Sequence, residues 1–128
     1  MQRDPCVRKL NDQIKRCHQC RLAGTRINAL CGEGPLKAEL MLVAQAPGEK
    51  ENKAGRMFIG PSGKVLDALL ETIRVDRQKI YMTNLIKCML PKNRKPKADE
   101  IAACSPYLDR EIAFLQPGIL APLGYYAT

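Results

Sequence analysis

Apolar positions recur along this chain with two different periods, and the change from one to the other predicts an α/β domain. Val7, Leu10 and Ile14 stand at helical spacing and predict a short N-terminal helix ending near Cys17. The run ELMLVAQ, Glu39 to Gln45, is almost continuously apolar and of strand length. Such runs suit a strand covered on both faces, as in a parallel sheet. Pro47, Gly48, Gly55, Gly60, Pro61 and Gly63 then mark a long loop. Ser62 is placed to cap a helix whose apolar face is Val65, Leu66, Leu69, Leu70 and Ile73. Ile80 to Ile86 reads as a second strand, and Lys87 to Lys97 as a basic, proline-bearing loop. Ala98 to Leu115 is helical in period. Ser105 and Pro106 fit an N-cap and a first-turn proline, so two helical pieces are expected to meet there. Ile119 to Leu123 is a third strand, in which Pro122 indicates an exposed side or the strand's end.

Strand, helix, strand, helix, strand is the order of an open α/β sheet. Sites in such sheets gather in loops beyond the carboxyl ends of the strands, which here are the loops after Gln45 and after Leu85. A chain of 128 residues is enough for one core and too short for two, so residues 1–128 are read as a single domain. Leu123 to Thr128 looks like a strand end leading into another helix, and the chain stops there. The expectation is therefore an incomplete domain with an open apolar sheet edge; the alternative is a small, self-sufficient three-stranded layer.

Composition narrows the partners. The chain is 45% hydrophobic and 27% charged, a globular balance, and its 21 Lys and Arg against 13 Asp and Glu leave a net charge of +8. An anionic partner such as nucleic acid is compatible with that excess, as is a solvated basic surface. No apolar run approaches a bilayer-spanning length, and Met1 to Cys6 has no signal-peptide character. A cytoplasmic, monomeric protein with no membrane partner is expected.

Six cysteines in such a chain call for metal or redox chemistry more than for disulfides. Cys17-His18-Gln19-Cys20 is a C-x2-C pair, with Cys88 and Cys104 far downstream. Thiolates so placed hold tetrahedral zinc or a [4Fe–4S] cluster, and spacing alone favours zinc. A dithiol redox pair is the other reading of C-x2-C, but no thioredoxin-like surroundings accompany it. Cys6 and Cys31 read as ordinary semi-buried thiols, and His18 as an orienting or solvent-facing residue.

Several motifs in register carry a more specific message. After the C-x2-C come Gly32-Glu33-Gly34-Pro35, then Ala44-Gln45-Ala46-Pro47-Gly48-Glu49-Lys50-Glu51-Asn52. Gly55-Arg56-Met57-Phe58-Ile59-Gly60-Pro61-Ser62-Gly63 and Thr83-Asn84-Leu85-Ile86-Lys87-Cys88 follow. Asn93-Arg94, Glu100-Ile101-Ala102-Ala103-Cys104 and Leu123-Gly124 complete the series. From about Cys17 to its end the chain resembles the family 4, iron–sulfur uracil-DNA glycosylases. The resemblance implies an α/β, three-layer αβα sandwich with a parallel sheet, of which three of four expected strands are present. It implies hydrolysis of the bond between uracil and deoxyribose, on a base flipped out of DNA, as the first step of base-excision repair. It also reverses the preference for zinc: Cys17, Cys20, Cys88 and Cys104 match the ligands of a [4Fe–4S] cluster, with zinc the lesser alternative.

Carried over by motif, Asn84 reads the base. Its amide oxygen accepts from uracil N3–H and its NH2 donates to O4, a pattern cytosine reverses. Phe58 matches the aromatic on which the base stacks, and Ala46, Pro47 and Gly48 match the loop that positions water beside the sugar. Without the motif, Asn84 reads as a strand-end residue and Phe58 as core. Lys87, Lys92, Arg94, Lys95 and Lys97 follow Asn84 with no acid among them. From that loop Lys87, Arg94 and Lys95 are expected to meet DNA, Arg94 and Lys95 at phosphates; a solvated charge run is the alternative.

The chain departs from the family in two ways. Gln45 stands where the family usually has Glu, and an amide cannot act as a base; its remaining catalytic part is to hold a water or hydrogen-bond the base. Glu49 and Glu51, the nearest carboxylates, are expected to be solvated. The family's His-Pro motif follows the third strand and has no counterpart among these residues. Weak or absent excision is therefore expected of the 128 residues. Two rivals stand beside the enzyme: a non-catalytic iron–sulfur DNA-binding module, and a zinc-stabilised structural domain.

Overall fold

The computed structural model describes residues 5–124 and Ala127. Val7, Leu10 and Ile14 close the inner face of helix α1 (Pro5–Lys15), each almost wholly withdrawn from solvent. A 3-10 turn, Arg21–Gly24, follows the C-x2-C pair. The apolar run becomes strand β1 (Leu40–Ala44), and the later strands are β2 (Tyr81–Asn84) and β3 (Ile119–Pro122). The three strands pair in parallel, in the order β2-β1-β3, with Leu42 opposite Met82 on one side and Ala121 on the other.

The central strand turns alternate residues to opposite faces, and two cores form accordingly. Met41, Val43 and Tyr81 pack with Leu10, Ile14, Tyr107 and Leu115, beneath α1 and helix α4 (Ala98–Leu115). Leu42, Ile80 and Met82 pack with Met57, Phe58, Leu66 and Leu70, beneath helix α3 (Pro61–Thr72). The result is the expected α/β sandwich around a three-stranded parallel sheet. Each large aliphatic side chain so buried contributes about 1.5–3 kcal/mol. Strand β3 forms one edge, with Ile119 and Leu120 exposed and Pro122 at its end, where a missing N–H does no harm.

The fold departs from sequence expectation in four places. Of the apolar face expected on α3, Leu66 and Leu70 are buried, whereas Val65, Leu69 and Ile73 are exposed, Ile73 as the helix's C-cap. The long loop after Pro47 contains a short helix, α2 (Glu49–Ala54), bounded by Gly48 and by Gly55 in the left-handed region at φ 72°. Its six residues are too few for periodicity to show, and the flanking glycines read as loop. Helix α3 starts two residues early: Gly60 is the N-cap and Pro61 takes the first helical position, so Ser62 does not cap. Helix α4 runs unbroken through Pro106. Its buried face, Glu100, Cys104, Tyr107, Glu111 and Leu115, continues across the proline, and that packing outweighs a penalty of about 3 kcal/mol. Ser105 does not cap a second piece; its hydroxyl donates back to the Ile101 carbonyl at 2.7 Å. The expected helix after Leu123 falls largely on Tyr125, Tyr126 and Thr128, outside the described residues.

Candidate functional site

Both loops predicted to carry the site converge beyond the carboxyl ends of β1 and β2. They line a cavity of about 700 Å³. Gln45, Ala46, Pro47 and Gly48 come from the end of β1, Phe58 from the loop before α3, and Asn84 from the last position of β2. Asn93, Leu123 and the α3 residues Val65, Leu66 and Leu69 also line it. The six residues predicted to meet a base are thus brought around one space. Asn84 is 3% exposed and its Nδ2 donates to the Met57 sulfur at 3.2 Å. A thioether accepts an N–H but offers nothing to a carbonyl oxygen, so this contact favours one orientation of the amide.

Phe58 is held in an unusual backbone conformation, φ 51°, which costs energy unless its surroundings enforce it. Three charged side chains do so. The Glu51 carboxylate accepts from Ile59 N at 2.9 Å and Gly60 N at 2.6 Å. The Arg77 guanidinium donates to the carbonyls of Met57 at 2.8 Å and Phe58 at 2.9 Å. Glu33, itself bridged to Met82 of β2, accepts from Met57 N at 2.6 Å. Gly63 admits the loop, since a Cβ there would lie 1.9 Å from the Phe58 carbonyl oxygen. The predicted solvation of Glu51 is corrected: its side chain is spent on backbone N–H groups and is nearly buried. Glu49 is exposed and pairs with Lys53 at 3.1 Å, as expected of a solvated carboxylate.

The basic loop divides. Lys87 does not reach the surface: it is 1% exposed, its ammonium donating to Thr83 Oγ1 at 2.7 Å, to the Asn84 carbonyl at 2.6 Å and to Glu111. Its assignment to DNA is therefore withdrawn, because leaving this site would strand the buried Glu111 carboxylate. Arg94 forks onto Glu100 with bonds of 2.8 and 2.6 Å, and Glu100 also accepts from Lys97 N. The Arg94 hydrogen bond, followed by that from Lys97 and the charge of Arg21, overrides burial and holds the Glu100 carboxyl at about 2. Lys92, Lys95 and Lys97 are exposed. Lys92 and Asn93 both lie near φ 54°, in the tight turn Pro91–Asn93 that carries Asn93 to the cavity rim.

The four cysteines that the resemblance matches to cluster ligands share one region beside α4. Cys88 and Cys104 are buried, Cys17 and Cys20 half-buried, and all four are free thiols. Cys88 lies in the electrostatic field of Cys17 and Cys20, and Cys104 in that of Cys88 and Cys20. Burial pushes the Cys104 thiol up to about 11, against the lowering influence of the Lys87 backbone N–H. Arg26 donates to Cys88 Sγ at 3.2 Å, an interaction that favours a thiolate. Among the described residues no group of three or more His, Cys, Asp or Glu side chains gathers as a site for a metal ion. Four sulfur donors in one region are the donor chemistry that an iron–sulfur cluster takes, a body larger than one ion whose ligands stand further apart. Cys31 is half-buried as expected, whereas Cys6 is exposed. His18 is exposed, its Nδ1 2.7 Å from the Arg16 carbonyl.

Sequence reasoning missed Glu33, Glu51, Met57, Arg77 and Glu111. Glu33, Glu51 and Met57 lie inside the quoted motifs, but nothing in their spacing marks them as holding neighbouring backbone or side chains.

Comparison with known proteins shows the family. Residues 31–128 match the family model of the uracil DNA glycosylase superfamily. A type-4 uracil-DNA glycosylase of Sulfurisphaera tokodaii is 45% identical over 123 residues, covering 95% of this chain and 56% of that protein. One from Saccharolobus solfataricus is 45% identical over 118 residues, covering 91% and 55%. One from Thermotoga maritima is 35% identical over 122 residues, covering 95% and 64%. The chain spans little more than half the length of the first two relatives.

Proposed function

The chain belongs to the uracil DNA glycosylase superfamily, and from that premise we propose that its cavity receives uracil flipped out of DNA and that the N-glycosidic bond is hydrolysed there, as in base-excision repair. The observation that carries this reading is the convergence of Asn84, Phe58 and the Gln45–Gly48 turn on one cavity at the sheet's carboxyl edge.

The reaction breaks the bond from uracil N1 to the sugar C1′. The electron pair leaves with uracil, positive charge grows on the sugar, and water adds its oxygen to C1′, keeping one proton as the new hydroxyl and releasing the other, which balances the uracil anion. The site must offer hydrogen bonds to the base and a place for the water. Asn84 offers an amide oxygen to N3–H and an N–H to O4, the second N–H being engaged by Met57. Phe58 provides the stacking face. The Pro47-Gly48 turn brings backbone close to the sugar, and Gln45 on the same wall holds the attacking water by hydrogen bonding without taking its proton. Flipping costs a few kcal/mol of unstacking, which the pocket contacts offset.

Cys17, Cys20, Cys88 and Cys104 are the proposed ligands of a [4Fe–4S] cluster. The cluster's contribution when bound is structural: it ties α4 and the 16–20 segment to the strand end that carries Asn84. Lys95, with Lys92 and Lys97 beside it, is the proposed phosphate-contacting stretch; Arg94 reaches a phosphate only by giving up Glu100. The partner is DNA containing uracil, the protein acting as a cytoplasmic monomer. Among the described residues no helix is long and apolar enough to cross a membrane.

Gln45 favours one other reading, an iron–sulfur module that binds DNA without cutting the bond, because the carboxylate usual at this step is an amide here. Both are tested on anaerobically purified protein with a labelled uracil oligonucleotide, measuring binding and excision together. Excision that is lost in Asn84→Ala supports the glycosylase. Salt-sensitive binding without excision supports the module, and neither binding nor excision rejects both.

A further inference from the structure

We infer that Lys87 is the positioning residue of Asn84, linking the cysteine-bearing side of the domain to the base-reading amide. The inference rests on the proposed role of Asn84 and deepens it. Lys87 is tied in three directions. Its own peptide bond leads to Cys88, which is buried in one core cluster with Cys104 of α4. Its carbonyl accepts from Leu30 N at 2.7 Å. Its ammonium donates to the Asn84 carbonyl at 2.6 Å and to Thr83 Oγ1 at 2.7 Å.

The ammonium is held by Glu111, also buried on α4, whose other oxygen accepts from Tyr81 OH at 2.7 Å. Tyr81, Thr83 and Lys87 thus place three donors on one carboxylate, and no donor of the four-residue group is left without an acceptor. A buried pair of this kind often adds little net stability over an apolar replacement, so stability alone does not account for it. A further role is visible in where the third bond lands. The strand ends at Asn84, and beyond it Leu85 N and Ile86 N bond back to the carbonyls of Ala44 and Gln45, the start of the pocket loop. The Lys87 ammonium fixes the peptide plane between Asn84 and Leu85, and through it both the direction of the Asn84 side chain and the approach of the Gln45 loop.

The test replaces the pair as a unit, because Lys87→Met alone would leave Glu111 charged and buried. In the double variant K87M/E111Q the amide still serves Tyr81 and Thr83, but the Asn84 carbonyl loses its donor. Hydrogen exchange at the Leu85 and Ile86 amides should rise while α1 and α4 stay protected. Single-turnover uracil excision should fall roughly 10- to 100-fold, the worth of a charge-assisted bond, with affinity for the uracil oligonucleotide changed less than about threefold. Unchanged exchange and rate, with Asn84→Ala inactive in parallel, would overturn the inference. General loss of α4 protection with rate and affinity falling together would overturn it too, in favour of a folding role. If the unaltered protein excises nothing, the glycosylase reading fails, and exchange at Leu85 and Ile86 alone decides for or against Lys87.

Discussion

The Glu51 carboxylate and the Gly60 N–H meet at 2.6 Å, and this one bond ties helix α2 to the turn that presents Phe58. The same carboxylate lies against Gly48, where a Cβ would come within 2.6 Å of Glu51 Oε1. One side chain therefore sets the spacing between the turn that approaches the sugar and the turn that carries the stacking ring. Gly48→Ala should destabilise the protein by about 1–3 kcal/mol, as crowding of a packed site does. In a double-mutant cycle with Glu51→Ala that penalty should shrink, because the atom it strikes is gone. Additive melting data would refute the coupling.

Glu51→Gln is the milder change and separates charge from shape. An amide oxygen still accepts from Ile59 N and Gly60 N, but without charge assistance, so a loss of about 1–2 kcal/mol is expected in denaturant unfolding. Phe58, held at φ 51°, is the residue freed. Weaker binding of uracil-containing DNA should accompany the loss, and an unchanged affinity would place the ring's anchoring in Arg77 and Glu33 instead.

Acid should act through Glu100. Its carboxyl is held near 2, chiefly by the Arg94 hydrogen bond, against an ordinary value of 4.5. The unfolded chain binds the proton first, so the stabilisation is fully present above about 4.5 and drains away as pH falls toward 2. A shift of that size corresponds to at most about 3 kcal/mol. Glu100→Gln should remove this part of the acid sensitivity between those limits, as read by thermal melting at a series of pH values. An identical pH profile in the variant would refute the assignment.

Salt dependence should distinguish the lysines of the basic loop. Lys95→Ala should reduce the slope of log affinity against log salt by about 0.7–0.9, the share of one phosphate contact. Neutralising Arg94 as well should flatten it further, although Arg94→Ala also releases Glu100. If neither variant's slope differs from that of the unaltered protein, the loop lies outside the interface.

Iron content offers a direct check on the thiols. Anaerobically prepared protein should carry iron and sulfide with visible absorption, and Cys88→Ala or Cys104→Ala should lose both together with thermal stability. Arg26→Ala should leave the iron in place, since it touches only one sulfur. Stoichiometric zinc in a colourless preparation would refute the cluster.

What was legible in the sequence was periodic or motif-borne. Val7, Leu10 and Ile14 announced α1 because one apolar face suffices to bury a helix, and the unbroken run around Leu42 announced a strand covered twice. Asn84 and Phe58 were placed by their motifs, and the parallel sheet brought them to one cavity. The misses have a common cause. Lys87 read as one more cation in a basic loop because its partner, Glu111, lies 24 residues on, and no local pattern pairs them. Glu51 read as solvated because the N–H groups it satisfies belong to backbone, which leaves no mark in composition. Pro106 read as a break because its penalty is local, whereas the packing of Tyr107 and Leu115 that carries α4 past it is not.

The alternation along β2 gives the sheet a further property. Tyr81 and Thr83 turn toward Glu111, while Met82 faces α3 and the Asn84 amide meets Met57. The strand is thus a two-sided key, one side cut for the buried carboxylate and the other for the base. Adding or deleting a single residue inside it would exchange the two sides, sending Thr83 to the cavity and Asn84 to the ion pair, with every backbone hydrogen bond still available. A change of the same length among residues 74–79 would be absorbed in the turn before the strand. Reading frame within four residues, more than the identity of any one of them, decides whether this domain faces a nucleobase with an amide.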